Sequence, residues 1–162
     1  MAKETSSSYE YLIAFGSNLG ERKLYVEQAI RYIEAEIGEI IAISNIIESE
    51  PIGAADLKFL NGVLRLNSVL EPRVLLARLL EIETRLGRTR QVKWGNRTID
   101  LDIILVRFDD DPIIINEPEL TIPHPQALKR AFVLNPCQEI AGEWMFPGKN
   151  LPLALLNLEE ET

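Results

Sequence analysis

The chain has 162 residues but only one cysteine, Cys137, and one histidine, His124. A single cysteine excludes an intramolecular disulfide, and nothing around it suggests metal ligation, so a reducing compartment is expected. No stretch approaches the ~20 apolar residues that a membrane-spanning helix needs. The opening MAKETSSSYE holds no apolar signal core. The phosphate-cradling pattern Gly-x-x-x-x-Gly-Lys-Ser/Thr is missing, which rules out a P-loop enzyme. Positive charge is in short supply as well. A formal net charge of −8 speaks against a general nucleic-acid binder, which carries a basic face. These absences leave a cytoplasmic globular protein.

What is present suffices for one core: 46% of the residues are apolar. Residues 1–8 read as a disordered tail, 9–158 as one domain and 159–162 as an acidic tail. The apolar run Tyr9–Ser17 ends in Gly16-Ser17-Asn18 and predicts a strand and turn. Val26, Ala29, Ile30, Ile33 and Ile37 recur at helical spacing, with Gly38 as the stop. Strands are expected over Glu39–Ile47 and Phe59–Leu70, with a loop between them. Pro72 opens a helix whose apolar face is Val74, Leu75, Leu79, Ile82 and Leu86, closed by Gly87. A strand over Thr98–Val106 follows, then a turn at Asp109–Pro112 and a short strand, Ile113–Ile115. The remainder reads as loop-rich, with short helices over Pro125–Phe132 and near Leu153–Leu158. The order β-α-β, β-α-β predicts an α+β ferredoxin-like βαββαβ core. Its sheet would be antiparallel, with helices on one or both faces and a loop-rich C-terminal extension. That fold hosts many functions, so the residues must decide.

Arg85, Arg88, Arg90, Lys93 and Arg97 fall within 13 residues that contain no acid. A solvated loop and a receptor for a polyanion smaller than DNA both fit; clustered like charges favour a compensating ligand. This loop leads into Thr98-Ile99-Asp100-Leu101-Asp102-Ile103-Ile104-Leu105. Strand alternation puts Ile99, Leu101, Ile103 and Leu105 on one face, and Asp100 and Asp102 on the other. Two carboxylates ~7 Å apart suit a hard divalent cation, although Asp-x-Asp also occurs on solvated strand faces. Acids beside guanidiniums describe a site for a magnesium polyphosphate. His124, held between Pro123 and Pro125, is followed by Arg130 and Phe132, and all three can reach one cleft. A ligand-binding or RNA-binding ferredoxin-like module, and another Asp-x-Asp nucleotide transferase, remain open on these residues alone.

The segment Trp94-Gly95-Asn96-Arg97-Thr98-Ile99-Asp100-Leu101-Asp102 resembles the signature of the 6-hydroxymethyl-7,8-dihydropterin pyrophosphokinase family of folate biosynthesis. Phe15-Gly16-Ser17-Asn18, Pro51-Ile52-Gly53, Phe59-Leu60-Asn61, and Ile122-Pro123-His124-Pro125 with Arg130-Ala131-Phe132 occur in that family's order. The resemblance runs from about Tyr11 to Phe146. It implies transfer of pyrophosphate from ATP to the pterin hydroxymethyl oxygen, leaving AMP. Asp100 and Asp102 would hold two magnesium ions. Arg88, Arg90 and Arg97 would contact phosphates, with Trp94 closing over the nucleotide and His124 and Arg130 contacting ATP. Glu83 and Ile103 would lie near the nucleotide. The pterin would sit between Phe59 and Phe132, with Asn61 on its amide edge and Asp100, Ser49, Pro51, Ile52 and Gly53 nearby. The implied partners are these small molecules, with no nucleic acid or membrane, and the implied state is monomeric. Phe59 stands where the family commonly has tyrosine, Asn96 where it has proline or a small residue, and Cys137 where leucine is usual. The basic loop is one residue short.

Overall fold

The computed structural model describes residues 8–51, 57–87 and 97–159. Ile52, Gly53, Arg88, Arg90, Lys93, Trp94 and Asn96 lie outside these residues, and so does the expected closure of the basic loop. The strand β1 (Tyr9–Ser17) is followed by helix α1 (Arg22–Glu36) and strands β2 (Glu39–Ile43), β3 (Ile47–Ser49) and β4 (Phe59–Ser68). Helix α2 (Pro72–Arg85) then leads to β5 (Asp100–Phe108) and β6 (Asp111–Pro112). The sheet order is β2-β4-β1-β5-β6, with β3 also on β4 and every pairing antiparallel. Taking β1, α1, β2, β4, α2 and β5 in chain order gives βαββαβ, the ferredoxin-like arrangement expected from the sequence.

The local causes are legible. Pro72 starts α2 where its missing N–H costs nothing, and the Glu71 carboxylate accepts from the Arg73 and Val74 amides. Gly87 takes φ +89° just past that helix, a value that disfavours any side chain. The strand expected over Glu39–Ile47 is instead two strands. Ser44 divides them because its Oγ accepts from the Val63 amide at 2.9 Å, replacing a ladder carbonyl.

The sheet separates two cores. On one face Tyr11, Ile13 and Phe15 of β1 pack with Val26, Ala29 and Ile33 of α1 and Leu75, Leu79 and Ile82 of α2. On the other, Leu12 and Val63 meet Val133, Leu134 and Cys137 of a third helix, α3 (Ala131–Ala141). Helices therefore cover both faces. The sequence reading placed a short helix at Pro125–Phe132, but 125–129 form turns and α3 starts where that helix was to end. Pro136 sits inside α3, where it normally costs ~3 kcal/mol. Burial of Val133, Leu134, Cys137 and Ala141 against the sheet offsets that cost. The C-terminal part is thus less loop-rich than its prolines suggest. Two small hairpins, β7 (Ile115–Glu117) with β8 (Leu120–Ile122) and β9 (Met145–Phe146) with β10 (Leu151–Pro152), flank α3, and only Leu153–Leu155 of the expected last helix forms, as 3-10 turns. Glu159 remains attached, its carboxylate 2.7 Å from Lys149.

The alternation expected along β5 holds only to Ile104. The β1–β5 register pairs Leu12 with Leu105 but Ile13 with Ile103, so Ile104 is an extra, bulged residue. As a result Leu105 joins Ile104 in the second core, and Val106 returns to the first. Leu105 therefore does not share the face of Ile99, Leu101 and Ile103.

Cys137 is 1% exposed, and burial pushes its thiol pKa up to about 12. A thiol reagent should modify the folded protein only at the rate of unfolding or local opening. Rapid stoichiometric labelling at neutral pH without denaturant would contradict this packing of α3.

Candidate active site

Helix α3 covers only part of its sheet face, and the bare remainder carries the polar residues. Gly16 of β1 pairs with Asn61 of β4 on one side and Asp100 of β5 on the other. Ala14 likewise lies between Val63 and Asp102. Two adjacent rows across three strands thus have large or polar side chains outside and almost none in the middle. The outer strands of each row stand ~9.6 Å apart, twice the strand spacing. The result is an open cleft with a narrow floor. Its walls include Phe59 and Asn61, Asp100 and Asp102, His124, and Arg130 with Phe132 at the start of α3. A side chain at Gly16 would crowd this floor: a Cβ would come within 3.1 Å of Asn61 Oδ1.

Each polar group has a structural reason for its orientation. The Asn61 amide donates through Nδ2 to Ser49 Oγ, which fixes the plane of its side chain. Arg97 reaches Asp100 Oδ2 at 3.1 Å, and its guanidinium lies 5.7 Å from the Phe59 ring centroid. Arg130 stands 5.8 Å from the Phe132 ring in the same way. Each aromatic wall therefore has a cation over it. Asp100 and Asp102 share the open face, as alternation requires before the bulge. Among the described residues no three His, Cys, Asp or Glu side chains form a metal cage. Two carboxylates lining an open cleft instead suit magnesium, which keeps waters and takes substrate oxygens.

The remaining expected residues are spread differently. Ser49 acts through Asn61, and Pro51 follows β3 outside the cleft lining. Glu83 is buried beneath β5, 1% exposed, where Oε2 accepts from the Leu101 amide at 2.7 Å. It anchors the strand between the two aspartates. The Ile103 side chain is in the first core, on the face opposite Asp102. It also borders a second, shallower depression with Leu76, Glu119, Thr121 and Pro125, which shares Asp102 and His124 with the cleft. Ala14 and Val133 also line the cleft without belonging to any motif, and Gly16 lines it from within Phe15-Gly16-Ser17-Asn18. Gly16 and Ala14 share the alternating face of β1, but their partners across the sheet are not visible without the register.

His124 lines the cleft as a half-buried ring. Burial lowers its pKa from 6.5, the nearby Arg130 cation lowers it further, and Asp100 pulls weakly upward. Its Nδ1 accepts from the Gln126 amide at 3.1 Å, so the neutral ring carries its proton on Nε2 as a donor. As the only histidine it should give one set of imidazole resonances in a proton NMR titration. Their midpoint should fall below the ordinary histidine value. The unfolded chain then takes up a proton that the folded ring resists, so stability should drop as pH falls through that range. A midpoint at or above 6.5 would contradict this burial.

The chain matches the family described as 7,8-dihydro-6-hydroxymethylpterin-pyrophosphokinase (HPPK) over residues 12–142. It is 40% identical over 130 residues to 2-amino-4-hydroxy-6-hydroxymethyldihydropteridine pyrophosphokinase of Bacillus subtilis, covering 79% of this chain and 75% of the relative. The enzyme of that name from Pseudomonas aeruginosa is 38% identical over 143 residues, covering 86% of each. A crystal structure of HPPK-DHPS in complex with substrates superposes with a TM-score of 0.70 at 15% identity, a likeness of fold over 91% of this chain and 42% of that one. With its cleft, its sheet order and these relatives in agreement, the chain belongs to the HPPK family.

Proposed function

We propose that this protein transfers pyrophosphate from ATP to 6-hydroxymethyl-7,8-dihydropterin in folate biosynthesis, giving the pterin diphosphate and AMP. The observation that carries the reading is the row Asn61–Gly16–Asp100, a polar amide and an acid on either side of a residue without a side chain. A flat heterocycle fits such a floor, with the Asn61 amide on its donor–acceptor edge and the Phe59 and Phe132 rings on its faces. The hydroxymethyl oxygen attacks the β-phosphorus of ATP. The new bond joins that oxygen to phosphorus, the α,β-bridging bond breaks toward AMP, and the hydroxyl proton is released.

Asp100 and Asp102 would hold magnesium, two ions per site, which neutralises charge on the transferring phosphates. Arg97 sits 3.1 Å from Asp100, so one guanidinium is placed to exchange its carboxylate partner for phosphate oxygens. His124, neutral at pH 7 with Nε2–H as donor, and Arg130 add donors on the α3 side. The depression that shares Asp102 and His124 with the cleft is suited to the nucleoside, which puts Ile103 and Leu76 near it. Arg88, Arg90, Trp94, Ile52 and Gly53 complete the expected set from residues outside those described. No nucleophile–base pair lines the cleft among the described residues; positioning and charge neutralisation would supply the acceleration.

Incubated with magnesium, ATP and the hydroxymethyl dihydropterin, the protein should form AMP and pterin diphosphate in equal amounts by chromatography. Asp102→Asn should remove most of that turnover. ADP as the main product would refute the pyrophosphoryl step.

The floor gives a separate expectation. Gly16→Ala pushes a methyl toward Asn61 Oδ1, so pterin affinity should fall by roughly tenfold, the effect of misplacing one hydrogen-bonding edge. Thermal stability should change little. Unchanged pterin affinity, measured by calorimetry, would move the pterin away from this row.

A further inference from the structure

Asn18 follows directly on β1 and is 1% exposed, yet it does not line the cleft. Hydrogen bonds from it reach two distant chain segments. Its side-chain Oδ1 accepts from the Arg97 amide at 2.7 Å, and its own amide donates to the Arg97 carbonyl at 3.1 Å. Its Nδ2 donates to the Leu57 carbonyl at 2.9 Å. The next carbonyl, that of Lys58, is held at 2.9 Å by Arg22, whose guanidinium also pairs with Glu48 of β3. Asn18 in the turn after β1 and Arg22 at the start of α1 therefore hold these segments together.

These two segments feed opposite walls of the cleft. Leu57 lies two residues before Phe59 and four before Asn61, the residues assigned to the pterin. Arg97 lies three residues before Asp100, to which it is paired, and belongs to the phosphate and metal side. One buried carboxamide thus joins the chain entering the pterin wall to the chain entering the nucleotide wall. An amide side chain is suited to this, since it offers an acceptor and a donor in one rigid plane.

We propose that Asn18 is a positioning residue that couples the two subsites, so that filling the nucleotide side improves the pterin side. Coupling of this kind is reciprocal by thermodynamic linkage: whatever the nucleotide does for pterin affinity, the pterin does for nucleotide affinity. A residue that only supported the fold would lower both affinities together. This assignment of ligands rests on the pyrophosphokinase reading; the bridge itself does not.

The test compares the full chain with Asn18→Ala and Asn18→Asp. In the free protein, hydrogen exchange should speed up at 57–60 and at Arg97 in Asn18→Ala. Asn18→Asp keeps the acceptor for the Arg97 amide but offers no donor to Leu57, so only 57–60 should lose protection. Equal exchange in all three proteins would overturn the bridge, whatever ligands bind. Pterin affinity is then measured with and without magnesium and a non-hydrolysable ATP analogue. The parent should show a gain within about 5–150-fold on adding the nucleotide, the usual range of coupling between sites. In both variants that gain should shrink toward unity, even where each single affinity survives. A gain equal to the parent's in the variants, or no gain in a parent that binds both ligands, would overturn the coupling and leave the function standing. A parent that binds neither ligand would overturn the function and the coupling with it. Should Asn18→Ala not fold, Asn18→Asp carries both measurements.

Discussion

The site depends on a side chain that is not there. Gly16 is in the middle strand of the sheet, between Asn61 and Asp100, and any larger residue would fill the floor that separates them. Close packing elsewhere makes the gap stable. Phe15 next to it is 3% exposed and presses its ring against Gly62, where a Cβ would stand 2.4 Å from that ring. The two glycines thus act on opposite faces. Gly62 lets the first core close tightly under the sheet, and Gly16 leaves the upper face open.

Half-coverage of that upper face follows from the length and position of α3. Eleven residues packed over Leu12, Val63, Ile104 and Leu105 seal one end, and Arg130 and Phe132 mark where the cover stops. The bulge at Ile104 is what makes both ends work. Before it, β5 alternates acids toward the cleft with apolar residues toward α2. At it, two consecutive apolar residues, Ile104 and Leu105, face α3. A regular strand would have put Leu105 in the wrong core.

Electrostatics then follow from burial rather than from total charge. The chain is acidic overall, yet the cleft sets Arg97 and Arg130 against Asp100 and Asp102. Low-dielectric walls such as Phe59 and Phe132 strengthen these interactions. Glu83, buried under β5, spends its carboxylate on the Leu101 amide and so sets the height at which both aspartates stand. Dense opposite charge around a flat floor is an arrangement suited to a polyanion joined to an uncharged ring.

The residues by themselves determined the frame. Apolar periodicity placed β1, α1, β4 and α2 within a residue or two, because each helix buries one regular face in the first core and each strand is apolar toward both cores. Alternation put Asp100 and Asp102 together because both precede the bulge. His124, Arg130, Phe59, Asn61 and Phe132 reach the cleft, as their motifs suggested. Tertiary structure decided the rest. Pro136 hides α3 from any local rule, since only packing against the sheet offsets its missing N–H. The bulge at Ile104 depends on how β1 and β5 pair, which no spacing along one strand reveals. Glu83 and Asn18 look like ordinary polar residues until the fold brings Leu101, Arg97 and Leu57 to them. Hydrogen bonds between segments distant in sequence are set by the register of the sheet, so the site's chemistry was written locally and its geometry was not.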